Sequence, residues 1–232
     1  SHWFIRPSAK VFVLAAAVFV GVLLAFFGQT YQTGADTWQL FATWALLITP
    51  LALLAQLGAL WLLWLILVNL SIVLYFQVFH GLFGVIFSSN QLQLAMFVFN
   101  TTALLLWEFF ATRLAWLQGR NEARLLAIAS GFSVTWLMLE AMFSHHQDFY
   151  WILVAYPVWL LLGYTLYRQR IPDLFMLVGG ALTLIVISTA FLGKEFLNKH
   201  GDFFLVLAMW VVIWSSLAIR WLQKIAKEGK HE

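Results

Sequence analysis

Residues 10–55 read KVFVLAAAVFVGVLLAFFGQTYQTGADTWQLFATWALLITPLALLA, in which two apolar runs stand on either side of one polar segment, 28–41. An α-helix needs about 20 apolar residues to cross a hydrocarbon core about 30 Å thick. The runs at 10–27 and 38–55 approach that length. The polar segment carries amides, hydroxyls, a phenol and an acid, which need water or hydrogen-bond partners. This stretch therefore predicts two membrane-spanning helices joined by a polar loop at the membrane surface.

The rest of the chain has the same apolar character. Of its 232 residues, 63% are hydrophobic and only 10% are charged, whereas about a quarter are charged in soluble globular domains. We therefore predict an all-α fold: a polytopic transmembrane helical bundle of about eight spans, forming a single domain over residues 1–232. The expected spans are 10–27, 38–55, 58–79, 91–112, 124–143, 149–167, 173–193 and 202–222.

Basic residues set the expected orientation, because Lys and Arg collect in cytoplasmic loops. With the N-terminus inside and an even number of spans, eleven of the thirteen basic residues fall on the cytoplasmic side. The two on the other side are Lys194 and Lys199. Both termini are thus predicted to be cytoplasmic, and the polar segment 28–41 to lie outside.

Composition and motifs exclude several classes of chemistry. The chain has no cysteine, so it can form neither a disulfide nor a thiolate metal site. It has no nucleophile elbow, no His-Glu-x-x-His and no phosphate-cradling glycine loop, which leaves enzymatic chemistry unsupported. The net charge of +3 is explained by helix orientation and does not indicate a nucleic-acid partner. We expect the lipid bilayer as the surrounding partner and no cofactor.

Three of the polar residues inside predicted spans are best explained by structural roles. Asn69 and Asn100 lie near the middle of theirs, where an amide needs an interhelical hydrogen bond, so a structural role is predicted. Glu108 lies near the cytoplasmic end of the fourth span, close to several arginines. Because a carboxylate in the membrane is unfavourable without a partner, we interpret Glu108 as one half of an interfacial ion pair.

Several ionisable residues lie close together in the sequence at the outer end of the fifth predicted span. Glu140 is followed closely by His145 and His146, and imidazoles titrate near neutral pH. The spacing matches no metal-ligand pattern, so no metal site is predicted. A proton-relay role and an ordinary solvated turn remain as alternatives.

The polar segment and the helix after it also resemble a known family. Gly28-Gln-Thr-Tyr-Gln-Thr-Gly-Ala-Asp36, followed by Leu40-Phe41, Trp44-Ala-Leu-Leu47 and Pro50, is similar to DUF2157, a bacterial inner-membrane family named only as a domain of unknown function. The resemblance implies a helical protein of the bacterial inner membrane and brings no activity with it. It also implies a further N-terminal part ahead of this chain and a companion membrane protein as partner.

Two functions from different classes fit these observations. The first is a transporter-like component with a polar outer-face site for a small solute or ion. Its residues would be Gln29, Tyr31, Gln32, Asp36, Glu140, His145 and His146. The second is a non-catalytic membrane-complex subunit or sensor whose polar loop 28–41 docks a partner.

Overall fold

The computed structural model describes residues 7–31, 34, 36–82, 89–143, 151–197 and 204–228. Within these ranges the chain forms eight α-helices and no strand, which confirms the predicted all-α class. The helices are α1 Pro7–Tyr31, α2 Thr37–Ala55, α3 Gly58–Leu82, α4 Ser89–Ala111, α5 Arg120–Phe143, α6 Ile152–Thr165, α7 Leu174–Leu197 and α8 Phe204–Glu228. A short 3-10 helix, Ala115–Leu117, precedes α5, and a π-helical turn, Leu166–Arg170, extends α6.

Seven of these helices are long and apolar enough to cross a membrane. The remaining helix, α6, has 14 described residues, and the π-helical turn that follows it adds five more. A helix occupies each of the eight predicted span positions, so the protein is a multi-pass membrane protein with several membrane-spanning helices.

The predicted polar loop 28–41 is much shorter than expected. Helix α1 continues to Tyr31 and α2 begins at Thr37, so the connection is reduced to residues 32–36. Apart from Gly28, none of residues 28–31 is a helix breaker, and polar side chains at a membrane surface can stay helical while facing water. Gly34 adopts a φ of 65°, a left-handed conformation that is easy for glycine and unfavourable for other residues. The chain therefore turns at Gly34.

The chain divides into two compact units, residues 1–126 and 127–232. In the first unit, α2 packs on α1 and α3 through a core of small and aliphatic side chains. Its members are Ala17, Ala45, Ile48, Ala52, Ala55, Leu60 and Leu67. Three of them are alanines on α2, which let neighbouring helices approach closely.

Trp44 of α2 makes a hydrogen bond and a close packing contact with α1. Its indole Nε1 donates a hydrogen bond of 2.8 Å to the carbonyl oxygen of Ala17. The ring lies so close to Gly21 that a Cβ atom there would come within 2.4 Å of it. Only a glycine fits at this position without moving the tryptophan.

In the second unit, each consecutive pair of helices is joined by a hydrogen bond from an aromatic side chain to a hydroxyl. Trp159 of α6 donates to Ser130 of α5 at 3.1 Å. Tyr156 of α6 donates to Thr183 of α7 at 3.2 Å, and Trp210 of α8 donates to Ser188 of α7 at 3.2 Å. These bonds satisfy polar groups that lipid cannot.

Candidate functional site

Of the polar residues predicted for an outer site, Gln29, Tyr31 and Asp36 are described next to the α1–α2 turn. Gln29 and Tyr31 occupy the last turn of α1, and both side chains are exposed. Tyr31 is 67% exposed, and its ring lies 4.5 Å from that of Phe27. Asp36 is the N-cap residue of α2, yet its exposed carboxylate makes no capping hydrogen bond. Gln32 lies outside the described residues.

Trp38 fixes the α2 side of this turn to α3. Its carbonyl oxygen accepts a hydrogen bond of 3.2 Å from Ser71 Oγ, and its ring meets Tyr75 edge-on, with centroids 5.1 Å apart. The indole Nε1 of Trp38 is buried and finds no acceptor in the part of the chain that the structure describes. The backbone around Asp36 is thus held by contacts two residues farther along.

Glu140 belongs to the second unit, in the last turn of α5, where its side chain is half-buried. Lys194 of α7 donates a hydrogen bond to the carbonyl oxygen of Met142, two residues after Glu140. A cation therefore reaches the end of α5 that carries the acid. His145 and His146 lie outside the described residues, so the predicted proton-relay cluster stays a prediction.

Asn69 and Asn100 are brought together by the structure. Asn69 Nδ2 donates to Asn100 Oδ1 at 3.1 Å, and Asn100 Nδ2 donates to Asn69 Oδ1 at 2.7 Å. Each Nδ2 also donates to the carbonyl oxygen four residues earlier, on Leu65 and on Met96, at 2.8 Å. Asn100 is 0% exposed. The pair therefore joins α3 to α4, and each Nδ2 group donates both of its hydrogens to protein oxygens.

Glu108 is buried at 4% exposure and bonds to Arg120, at the start of α5. Nη1 of Arg120 lies 3.1 Å from each of the two carboxylate oxygens. The expected ion pair is formed, and it closes the connection between α4 and α5. Arg113, another candidate partner, instead places its guanidinium 4.7 Å from the centroid of the Phe109 ring.

Glu122 is an acid that sequence reasoning missed. It lies in the first turn of α5, and its carboxylate approaches two glycines so closely that a Cβ atom would come within 2.2 Å of it at Gly58 and 2.8 Å at Gly119. Gly58 is the first residue of α3. The carboxylate therefore lies near two helix N-termini, whose dipoles favour negative charge. An acid three residues after a glycine hinted at the α5 terminus, but not at α3.

Cavities that border the described helices include the following two. One, of about 250 Å³, lies between α2 and α3 and is mostly apolar. Its polar member Thr49 accepts a hydrogen bond of 2.9 Å from Trp64 Nε1 and donates one of 2.8 Å to the Ala45 carbonyl. The other, about 430 Å³, is an open groove along the end of α8. Neither is lined by Gln29, Tyr31, Asp36 or Glu140.

A metal centre is not apparent in the described ranges, where no three His, Asp or Glu side chains are grouped so that they could hold an ion. The described arrangement thus consists of an exposed polar turn in the first unit and of paired polar side chains between helices. Neither is a constellation of nucleophile, base and acid that would carry out catalysis.

Comparison with known protein families finds a match over the N-terminal quarter of the chain. The model of the family DUF2157, described as a predicted membrane protein, matches residues 4–61. This segment includes α1, α2 and the start of α3, and it contains the stretch 28–50 that carries the resemblance noted in the sequence. No curated protein and no solved structure matches the chain.

Proposed function

We propose that this membrane protein, whose residues 4–61 match the DUF2157 family, serves as a non-catalytic subunit or sensor of a membrane complex. Its α1–α2 turn would contact a companion membrane protein. The resemblance supports the inner membrane of a bacterium as its location, and the distribution of basic residues supports cytoplasmic termini with the turn outside.

The exposure of Tyr31 and Asp36 is the observation that carries this proposal. The carboxylate of Asp36 forms no capping bond, although an N-cap aspartate commonly does. The phenol of Tyr31 projects from the last turn of α1. An exposed carboxylate and an exposed aromatic ring at the two ends of one short connection are suited to protein recognition, because tyrosine is enriched in interfaces and supplies both apolar area and a hydrogen bond.

The described residues next to the turn are held by contacts with α3. Trp38 accepts a hydrogen bond from Ser71 and packs on Tyr75, and Gly34 adopts a left-handed conformation. A docking segment whose anchoring residues are already held in place loses less conformational entropy when a partner binds. This favours docking over a loop that folds around a solute.

Polar side chains between the helices are consistent with the same function. The Asn69–Asn100 pair and the bond from Trp159 to Ser130 direct their polar atoms at each other. A transporter-like component would need such atoms to face a solute along a polar path. Among the described residues, no observation favours that alternative at Gln29, Tyr31, Asp36 and Glu140, and the experiment below separates the two functions.

The test uses a photo-crosslinking amino acid placed separately at Tyr31, Asp36 and Gln118 in the full chain, in its native membrane. Gln118 is an exposed control in the α4–α5 connection. We expect positions 31 and 36 to form the same adduct of discrete mass with another membrane protein, and position 118 not to form it. The adduct formed from position 36 should weaken when Tyr31→Ala is added.

Two results would reject the proposal. The first is the absence of any adduct from positions 31 and 36, and the second is the same adduct from all three positions. If positions 31 and 36 form no adduct, and a small polar solute protects cysteines placed at those positions from a thiol-reactive label, the transporter-like function would replace the proposed one.

A further inference from the structure

The end of α8 carries three cations on one side of the helix. Arg220, Lys224 and Lys227 are all exposed and line the open groove of about 430 Å³, together with Gln223 and Glu228. Residues three and four apart on an α-helix are neighbours on its surface. The three positive charges therefore form one continuous basic face, which we call the α8 basic face.

This face points away from the packed side of α8. Ile225 is buried, and Leu222 is half-buried, so these residues mark the side that contacts the rest of the second unit. Arg220 and Lys224 are each two residues from Leu222, which places them about 200° around the helix. The cations are thus directed outward, to where lipid and water are.

Two aromatic rings give the depth of the face in the membrane. Trp221 stacks on Tyr164 of α6, with ring centroids 6.2 Å apart, and such rings collect at the level of the lipid headgroups. The seven steps from Arg220 to Lys227 advance about 10 Å along the helix. A headgroup layer is about 5–8 Å thick on each side, so the basic face extends across it.

Glu228 is the acid that lines the groove among the described residues, and it is already paired. Glu228 accepts a hydrogen bond from Arg168 of the π-helical turn, and this turn also presents the exposed Arg170. Its charge is therefore offset by a residue outside the groove. The groove keeps the charge of its three cations, and an anion can approach them.

We propose that the α8 basic face is a binding site for the headgroup of an anionic phospholipid. The guanidinium of Arg220 and the ammonium groups of Lys224 and Lys227 would contact the phosphate, and the amide of Gln223 would bind headgroup hydroxyls. The acyl chains would lie along the part of α8 that precedes the basic face, where Met209, Ile213 and Leu217 are exposed. This inference does not depend on the proposed docking turn.

The test compares lipid retention by the purified full chain in native mass spectrometry. The protein is first reconstituted in vesicles of phosphatidylcholine with or without phosphatidylglycerol. We expect retained phosphatidylglycerol in preference to phosphatidylcholine. The double variant Lys224→Gln/Lys227→Gln should lower that retention by about fivefold for each charge removed.

Lys10→Gln/Arg113→Gln is the matched control, because it removes two exposed positive charges elsewhere in the chain. It should retain phosphatidylglycerol as the unmodified chain does, and Lys224→Arg/Lys227→Arg should do the same. Equal loss in the two glutamine variants, or no preference between the lipids, would overturn the proposal. Displacement of the lipid by soluble glycerol phosphate at similar concentration would also overturn it, since the site would then bind the free phosphate group.

Discussion

The side-chain amides of Asn69 on α3 and Asn100 on α4 form two reciprocal hydrogen bonds, each amide donating to and accepting from the other. Replacing either by alanine leaves its partner with unmatched polar atoms away from water. We expect each single variant to lower the free energy of unfolding by about 1–2 kcal/mol. Unfolding of the purified protein in mixed micelles with increasing dodecyl sulfate measures this.

The double variant Asn69→Leu/Asn100→Leu should lose less than the sum of the two single leucine variants, because no amide is left alone. Thr102→Ala, at an exposed position of α4, is the control and should change little. Additive losses in the double variant would show that the two amides are not coupled.

A second prediction concerns the ion pair that closes the α4–α5 connection. Arg120→Gln removes the cation from the buried Glu108 carboxylate and should lower the free energy of unfolding by about 1–3 kcal/mol. Because one guanidinium nitrogen contacts both carboxylate oxygens, Arg120→Lys should keep most of the stability. Arg113→Gln, which removes an exposed guanidinium, is the control. Equal losses for Arg120→Lys and Arg120→Gln would argue against the charge contact.

Two glycines of α1 should respond in opposite directions to the same substitution. Gly21→Ala places a methyl group against the Trp44 ring and should lower the free energy of unfolding by about 1–3 kcal/mol. At Gly28 a Cβ atom meets nothing within 4 Å, so Gly28→Ala should raise it by about 0.5–1 kcal/mol. The same micelle titration compares them, and a similar loss at both positions would contradict the close α1–α2 contact.

The turn at Gly34 gives a prediction about conformation. With a φ of 65°, Gly34→Val should lower the free energy of unfolding by about 1–2 kcal/mol. Gly34→Asn should be milder, since asparagine tolerates left-handed backbone. If the turn docks a partner, the Asp36 adduct should weaken in Gly34→Val and persist in Gly34→Asn. Equal behaviour of the two variants would contradict the turn geometry.

The sequence predicts much of the fold, because the length of an apolar run is a direct consequence of bilayer thickness. A helix is present at every predicted span. The predicted length of the loop 28–41 was too great, because polar side chains indicate contact with water and do not determine the backbone conformation. Gln29 and Tyr31 are exposed and helical at once.

The candidate sites were predicted less completely than the fold. The partner of Glu108 could be anticipated, since Arg120 is only twelve residues away. Asn69 and Asn100 are separated by 31 residues, and only helix packing decides whether they meet. The contact of Glu122 with Gly58 likewise depends on how the helices pack. Basic residues near α8 predicted an orientation, whereas the predicted span ended at residue 222, and the continuation of α8 to Glu228 is what places three of them on one helical face.

The proposal that the α1–α2 turn lies on the outer side of the membrane can be tested directly, because a chain without cysteine accepts single-cysteine labels. Asp36→Cys and Gln118→Cys are each produced in excess over any partner and treated in intact cells with a membrane-impermeant maleimide. Our account predicts labelling at position 36 in intact cells and at position 118 only after the membrane is opened. Labelling of position 118 but not of position 36 in intact cells would contradict it.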